Sequence, residues 1–388
     1  MIVQLPTPGF SFEILRVLGH ARAGVLHTPR GDIPTPVFMP VGTQGTVKGM
    51  TAGELRAPPL DAAIILGNTY HLYLRPGERL VADAGGLHRF IGWDRAILTD
   101  SGGFQVHSLA ALNRITEEGV TFRSHIDGSS HLFTPEKAIE IEHALGADVI
   151  MAFDECTGHP ASPDDARQAG ERTLRWLKRC VDRHDALGRR SANGEPQALF
   201  GIVQGSIYPE LRAAYAEETV GFDLPGYAVG GTGLGEQKAG MWQAVETVTG
   251  RLPEDRPRYL MGIGLPEDLI DGVARGIDMF DCVVPTRNAR NGTVFTRNGR
   301  LNFKNAAWAR DFSPIDPACG CYACRNHTRA YLRHLYHAGE ITAMRLATVH
   351  SLRFFADLME EMRSAILSGR FTQWRTAFLS AYRPNSLS

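Results

Sequence analysis

The sequence predicts a (β/α)₈ barrel. Eight short apolar runs recur along the chain, most followed by a helical stretch. Together they span about 250 residues, the usual extent of that fold. The runs are continuous rather than alternating, as expected of parallel strands buried on both faces. They are Pro36–Gly42, Ala62–Asn68, Ala96–Gly102, Ala147–Asp154, Ala198–Gly205, Gly226–Gly231, Arg258–Gly264 and Met279–Pro285. An open doubly wound sheet is the second choice. At 388 residues the chain has room for one large barrel with an appended module. The expectation is one domain over 1–388, with a subdomain at about 287–350.

The connecting elements follow from local signals. Before the first run, Ser11–Arg16 and Arg22–Asp32 read as a small N-terminal antiparallel sheet closing the barrel bottom. Val120–Phe133 reads as a hairpin turning at Asp127-Gly128, inserted after the third strand. Thr134 caps a helix with Pro135 in its first turn, and Ser162-Pro163 opens another. Thr293–Phe303 reads as a hairpin with an Asn298-Gly299 turn after the eighth strand. Ile341 to Tyr382 reads as mostly helical, with Phe354, Leu358 and Met362 at four-residue steps after His350.

Composition excludes several classes. The hydrophobic fraction is 43% and the charged fraction 21%, ordinary values for a globular domain. No apolar run reaches the 18 residues of a membrane span, and the N-terminus lacks a basic-then-apolar leader. Six cysteines, three of them clustered, do not form a disulfide framework, which fits the cytoplasm. Net charge is −1, yet between Cys282 and Gly339 nine Arg or Lys face two acids, Asp311 and Asp316. A neutral protein with one basic face can bind phosphates through that face.

Cys319, Cys321 and Cys324 lie within six residues. Three thiolates on one tight turn suit Zn²⁺, with a fourth ligand from elsewhere. His350 is one candidate for it; His327, His334 and His337 are others, and spacing leaves the choice open.

In a barrel of this kind the active site lies at the C-terminal ends of the strands. The polar residues there are Asn68, Thr69, Asp100, Ser101, Asp154, Glu155, Gln204 and Asp281. Each acid alone could be a helix N-cap. Four on one rim repel one another, which stability alone does not require. Such a set suits substitution at an anomeric carbon: one carboxylate attacks while another exchanges a proton with the leaving group. Gly102, Gly103, Gly230 and Gly231 would let a planar ligand approach the backbone. Phe104 and Met261 could sandwich it, and Asp154 and Gln204 could read a purine edge.

These residues match a family. The chain resembles the bacterial tRNA-guanine transglycosylases, the queuosine-insertion enzymes. The match rests on Asp100-Ser-Gly-Gly-Phe-Gln105, Phe153-Asp-Glu-Cys156, Gly201-Ile-Val-Gln-Gly205, Gly230-Gly231, Asp281–Gly292 and the Cys-x-Cys-x-x-Cys…His set, in order along nearly the whole chain. The resemblance implies a (β/α)₈ barrel with a zinc insertion near the C-terminus. It implies exchange of the wobble guanine of GUN-anticodon tRNAs (Asp, Asn, His, Tyr) for the 7-deazaguanine preQ1. It makes Asp281 the nucleophile that holds the RNA covalently, and Asp100 the general acid/base. It gives base binding to Ser101, Gly102, Gly103, Asp154, Gln204 and Gly231, with Phe104 and Met261 stacking. RNA contacts would come from Gly262, Ile263, Gly264, Leu265, Pro266, Glu267 and Asp268, and from Thr286, Arg287, Asn288, Ala289 and Arg290. Structural zinc would sit on Cys319, Cys321, Cys324 and His350. A homodimer is expected; ATP and redox cofactors are not.

The chain departs from the family at one place. Bacterial members usually read Gly-Gly-Leu-Ala-Val-Gly-Glu where this sequence has Gly230-Gly-Thr-Gly-Leu-Gly-Glu236. Glu236 is kept, and Leu234 and Cys156 favour preQ1 over queuine. An archaeal-type enzyme would carry an RNA-binding C-terminal extension, which is not expected here. Two other readings compete. A barrel nucleosidase or glycosidase would need neither the arginines nor the zinc. A non-catalytic zinc-stabilised RNA-binding subunit would lack Asp100 or Asp281, and both are present.

Overall fold

A computed structural model describes residues 2–109 and 113–382. Nine parallel strands form the central sheet: β1 (Val37–Met39), β2 (Val41–Gly42), β3 (Ile64–Asn68), β4 (Ala96–Asp100), β5 (Val149–Met151), β6 (Ala198–Val203), β7 (Gly226–Val229), β8 (Arg258–Leu260) and β9 (Met279–Asp281). Their order is β1-β9-β8-β7-β6-β5-β4-β3-β2. The sheet closes because β1 and β2 are halves of one stretch. Pro40 separates them, having no N–H to give to a ladder. Phe38 pairs with Phe280 on β9, Val41 pairs with Leu66 on β3, and Leu66 N donates to Pro40 O at 3.0 Å. All eight predicted runs are therefore strands, and the first supplies both edges of the seam.

Side chains from the strands fill the barrel. Met39, Leu66, Leu98, Met151, Phe200 and Met279 form one buried cluster with Phe10, Phe12, Leu26 and Ile33. Phe12, Leu26 and Ile33 belong to a four-stranded antiparallel sheet, Ile2–Gln4, Ser11–Leu18, Ala21–Thr28 and Gly31–Thr35, and Phe10 immediately precedes its second strand. The predicted N-terminal sheet thus exists, with one more strand at each end, and it stoppers the barrel. Arg22 fixes the stopper. Its Nε donates to Asp278 Oδ1 at 2.8 Å, its Nη2 pairs with Oδ2 and also reaches Arg256 O (2.5 Å), and its Nη1 reaches Glu254 O (2.6 Å). Both side chains are buried, and Asp278 immediately precedes β9.

Helices cover the outside as the capping signals predict. Thr134 accepts from Lys137 N to start Pro135–Leu145, and Ser162 accepts from Asp165 N to start Pro163–Ala186. No helix among the described residues is long and apolar enough to cross a membrane.

Two turns differ from expectation. Val120–Arg123 pairs with Ser130–Phe133, but the connection is the six-residue stretch 124–129 rather than a two-residue Asp-Gly turn. Asp127 instead accepts from the N and Oγ of Ser129 (3.1 and 2.6 Å), which stabilises a wider loop. A third strand, Asn113–Ile115, joins this sheet. In the second hairpin Thr296 pairs with Gly299, so Arg297-Asn298 make the turn and Gly299, at φ 128°, closes it.

Beyond β9 a satellite core forms from Val294, Leu301, Phe303, Ile315, Leu332 and Leu335. Leu346 and Ala347 of the long Ile341–Leu367 helix complete it. The same helix buries Phe354, Leu358 and Met362 against the barrel.

The stopper generates a prediction. Asp278→Ala would leave Arg22 buried without its carboxylate, a loss of about 3–5 kcal/mol. The denaturation midpoint should fall accordingly; an unchanged midpoint would show that the pair does not secure the barrel floor.

Candidate active site and metal centre

The strand ends place the polar residues on one rim. Asp100 ends β4 opposite Asn68 of β3 in the ladder. Asn68 Nδ2 donates to Asp100 Oδ2 at 2.6 Å, Thr69 N to Oδ1 at 3.1 Å, and Gln105 Nε2 to Oδ2 at 3.1 Å. Asn68 also caps the helix Thr69–Leu74, accepting from His71 N. Asp100 is thus held by its neighbouring strand, which is no N-cap arrangement. Burial pushes its carboxyl up to about 7, and the nearby Asp281 and Asp154 carboxylates add to the rise against the donors.

Asp281 ends β9. Tyr259 Oη donates to its Oδ1 at 2.6 Å, and Gly262 N donates to the same atom at 2.8 Å. Among the described residues no hydrogen bond is made to Oδ2. Burial raises this carboxyl too, while Tyr259 and Gly262 oppose the shift.

Asp154 follows β5, and Gln204 follows β6. Gln204 Nε2 donates to Asp154 Oδ2 at 2.6 Å, and Ser101 Oγ donates to Oδ1 at 3.4 Å. Burial pushes Asp154 up to about 6. Gln204 Oε1 is buried without a partner among the described residues. The neighbouring glycines make room for these two side chains. A Cβ on Gly103 would lie 2.7 Å from Asp154 Oδ1, and one on Gly231 would lie 2.3 Å from Gln204 Oε1. The space read from sequence as room for a ligand is partly taken by the protein's own polar groups. Gly102 needs its freedom for backbone reasons, at φ +83°. Phe104 stands exposed on the rim, and Met261 is half-buried beside Gly262.

Glu155 leaves the set. It turns outward to pair with Arg172, and its N–H donates to Thr173 Oγ1. The rim therefore carries three acids that meet, Asp100, Asp154 and Asp281. Sequence reading missed Tyr259. A hydroxyl inside an apolar strand needs a partner, and that signal could have found it.

The residues expected to contact RNA differ in exposure. Of Gly262 to Asp268, only Gly262 is exposed. Ile263, Gly264, Pro266 and Asp268 are buried, and Leu265 and Glu267 are half-buried. Asp268 pairs with Lys238 at 2.6 Å and Glu267 with Arg300 at 3.5 Å. On the helix Val284–Arg290, Thr286 and Ala289 pack inward, and Thr286 Oγ1 bonds Val283 O. Arg287 is exposed, Asn288 is half-buried, and Arg290 has a buried Nη1 with no partner among the described residues.

The three cysteines meet His350. The ligand atoms of Cys319, Cys321, Cys324 and His350 all lie within 4.8 Å of one another. His350 Nδ1 is 3.8 Å from Cys321 Sγ and 3.2 Å from Cys324 Sγ. Its Nε2 donates to Phe295 O at 2.8 Å, which leaves Nδ1 free to ligate. The turn is shaped by Asp316, which accepts from Arg297 N and Ala318 N, and by Cys321, which caps Tyr322–Asn326. Three thiolates and one oriented imidazole fit a metal ion such as zinc. His327 stacks on Tyr331 and, with His334 and His337, stays outside the cluster. Cys321→Ser should lose the metal and lower the melting temperature, because a missing thiolate opens a four-ligand site. Full metal content with normal melting in that variant would argue against the assignment.

Comparison with known proteins now bears on the whole chain. A family model described as queuine tRNA-ribosyltransferase matches residues 18–384. A protein of Caldanaerobacter subterraneus subsp. tengcongensis named queuine tRNA-ribosyltransferase is 58% identical over 365 residues, 94% of this chain and 95% of that protein. Relatives of the same name in Pelotomaculum thermopropionicum (57% over 363 residues, 94% and 95%) and Symbiobacterium thermophilum (59% over 362 residues, 93% and 88%) agree. A family match over residues 18–384 and relatives of this identity and coverage place the chain in the queuine tRNA-ribosyltransferase family, as a pentosyltransferase.

Proposed function

We propose that this enzyme replaces guanine at wobble position 34 of GUN-anticodon tRNAs (Asp, Asn, His, Tyr) with preQ1, through a covalent enzyme–RNA intermediate. The observation that carries the proposal is the unequal treatment of the two Asp281 oxygens. Oδ1 is tied by Tyr259 and Gly262, and Oδ2 is left for attack. In the first half, Oδ2 bonds to the ribose anomeric carbon as the bond to guanine breaks. Protonated Asp100 gives its proton to the departing base. In the second half, ionised Asp100 takes a proton from preQ1, whose ring nitrogen displaces Asp281. Two displacements at one carbon restore its configuration.

Asp154, Gln204 and the Gly231 backbone read the base edge, with Phe104 and Met261 across its faces. Leu234 and the Thr232-Gly233 pair border the 7-substituent. Glu236 accepts from Gly233 N at 2.5 Å and Leu234 N at 2.8 Å, which orients that segment. Arg287 and Arg290 meet the phosphates around the anticodon stem-loop, and Gly262 is the exposed point of the adjoining loop. A zinc ion on Cys319, Cys321, Cys324 and His350 would have a filled tetrahedral shell, so its contribution is to pin the insertion. The reading includes a cytoplasmic homodimer, with tRNA, preQ1 and released guanine as its partners.

The test is release of labelled guanine from a tRNA-Tyr transcript with preQ1 or queuine supplied separately. Release with preQ1 alone is expected. Release driven by queuine would overturn the pocket reading. RNA binding without release would favour a non-catalytic subunit. Asp281→Ala should abolish both release and the denaturant-resistant RNA adduct; a persistent adduct would move the nucleophile elsewhere.

The proton role of Asp100 sets a pH dependence. Its carboxyl keeps a proton up to about 7. Single-turnover guanine release needs that proton, so its rate should fall as pH rises through this value. Asp100→Asn should remove the falling limb along with most of the rate. A rate that climbs steadily above neutrality would exclude Asp100 as the acid.

A further inference from the structure

The base-reading half of the rim is tied together by a cation with no carboxylate paired to it. Arg212 lies in the first turn of the helix Pro209–Val220 and is fully buried. Its Nη1 donates to Val203 O at 2.8 Å, its Nε to Ser206 O at 2.8 Å, and its Nη2 to Gly231 O at 3.2 Å. Val203 and Ser206 bracket Gln204-Gly205, and Gly231 is the second residue after β7. One rigid guanidinium fork therefore spans two strand ends.

The surroundings are built for it. Gly205 sits at φ +132°, and a Cβ there would lie 3.0 Å from Arg212 N and 3.3 Å from Arg212 Cδ. Across the segment, Glu236 takes the N–H groups of Gly233 and Leu234. The stretch Gly231–Leu234 is thus held by its carbonyl on a buried cation and by its amides on an anion. Charge acts through backbone here, since among the described residues Arg212 makes no ion pair. A buried guanidinium is costly unless its donors are satisfied. Here at least three go to carbonyls that fix where Gln204 and Gly231 stand.

We propose that Arg212 is a positioning residue for base recognition: it sets the spacing between Gln204 and Gly231 and so governs affinity for the incoming base, leaving attack on the sugar to Asp281. The inference rests on the reading of Gln204 and Gly231 as base contacts. An arginine that merely supported the fold would change the amount of active enzyme and leave the Michaelis constants alone.

The experiment measures kcat and KM for guanine, and separately KM for tRNA, during guanine exchange. It compares the unaltered enzyme with Arg212→Met and Arg212→Lys, each corrected for folded fraction. Arg212→Met should raise KM for guanine about tenfold or more, as expected when a recognition hydrogen bond is misplaced. KM for tRNA and kcat should move little. Arg212→Lys keeps the charge but reaches fewer carbonyls, so it should fall in between. If Arg212→Met does not fold, Arg212→Lys carries the test, with a rise of about threefold expected. An unchanged KM for guanine in the folded variants, with activity tracking folded protein, overturns the proposal. Guanine exchange by the unaltered enzyme separates the two levels. If it is absent, the functional reading falls and takes this inference with it; if it is present with unshifted KM, only the inference falls.

Discussion

Keeping carboxylates out of water at the barrel mouth is the constraint on which this structure turns. Asp100, Asp154 and Asp281 are each raised by burial, and the Asp281 and Asp154 charges raise Asp100 further. A buried charge is tolerated only where donors meet it. Each acid therefore has its own: Asn68, Thr69 and Gln105 for Asp100; Gln204 and Ser101 for Asp154; Tyr259 and Gly262 for Asp281. Nearly every donor comes from a neighbouring strand end. The parallel register that aligns Asn68 with Asp100 is also what supplies its counter-dipole. Stability and chemistry thus draw on the same hydrogen bonds.

The donors do not suppress the raised values, and that residue of cost is chemically useful. A carboxyl near neutrality can carry a proton in one half-reaction and accept one in the next. An acid with one oxygen tied and the other open is oriented without being neutralised. The loss falls on folding. The folded chain holds a proton on Asp100 that the unfolded chain releases at its ordinary carboxylate pKa, so that contribution to stability declines as pH rises through about 7.

Much of this was legible in the sequence, for reasons that can be named. Parallel strands covered on both faces write continuous apolar runs, so all eight were visible. Polar residues closing those runs had to lie on one rim. What failed was whatever depends on side-chain direction. Asp154 and Glu155 are adjacent and chemically alike, yet one faces the mouth and the other faces Arg172. Thr286 and Ala289 share a helix with Arg287, and only the fold shows which of them face inward. Four histidines had workable spacings to the cysteines, and only the packing of the last long helix selects His350. Tyr259 and Arg212 looked like ordinary strand and helix residues, because the partner of Tyr259 lies 22 residues away and the farthest partner of Arg212 lies 19 residues away, past the next strand.

The seam at Pro40 has a consequence for synthesis on the ribosome. The stretch Val37–Gly42 meets β3 within some thirty residues, but its other neighbour, β9, is not made until residue 281. Arg22 waits equally long for Asp278, 256 residues downstream. Throughout most of translation the nascent chain carries an open sheet edge and an uncompensated buried-site arginine. Closure is a late, all-at-once event of high sequence separation, which is slow and exposes strand edges to wrong partners. This barrel should therefore depend on co-translational protection more than its closed final sheet suggests.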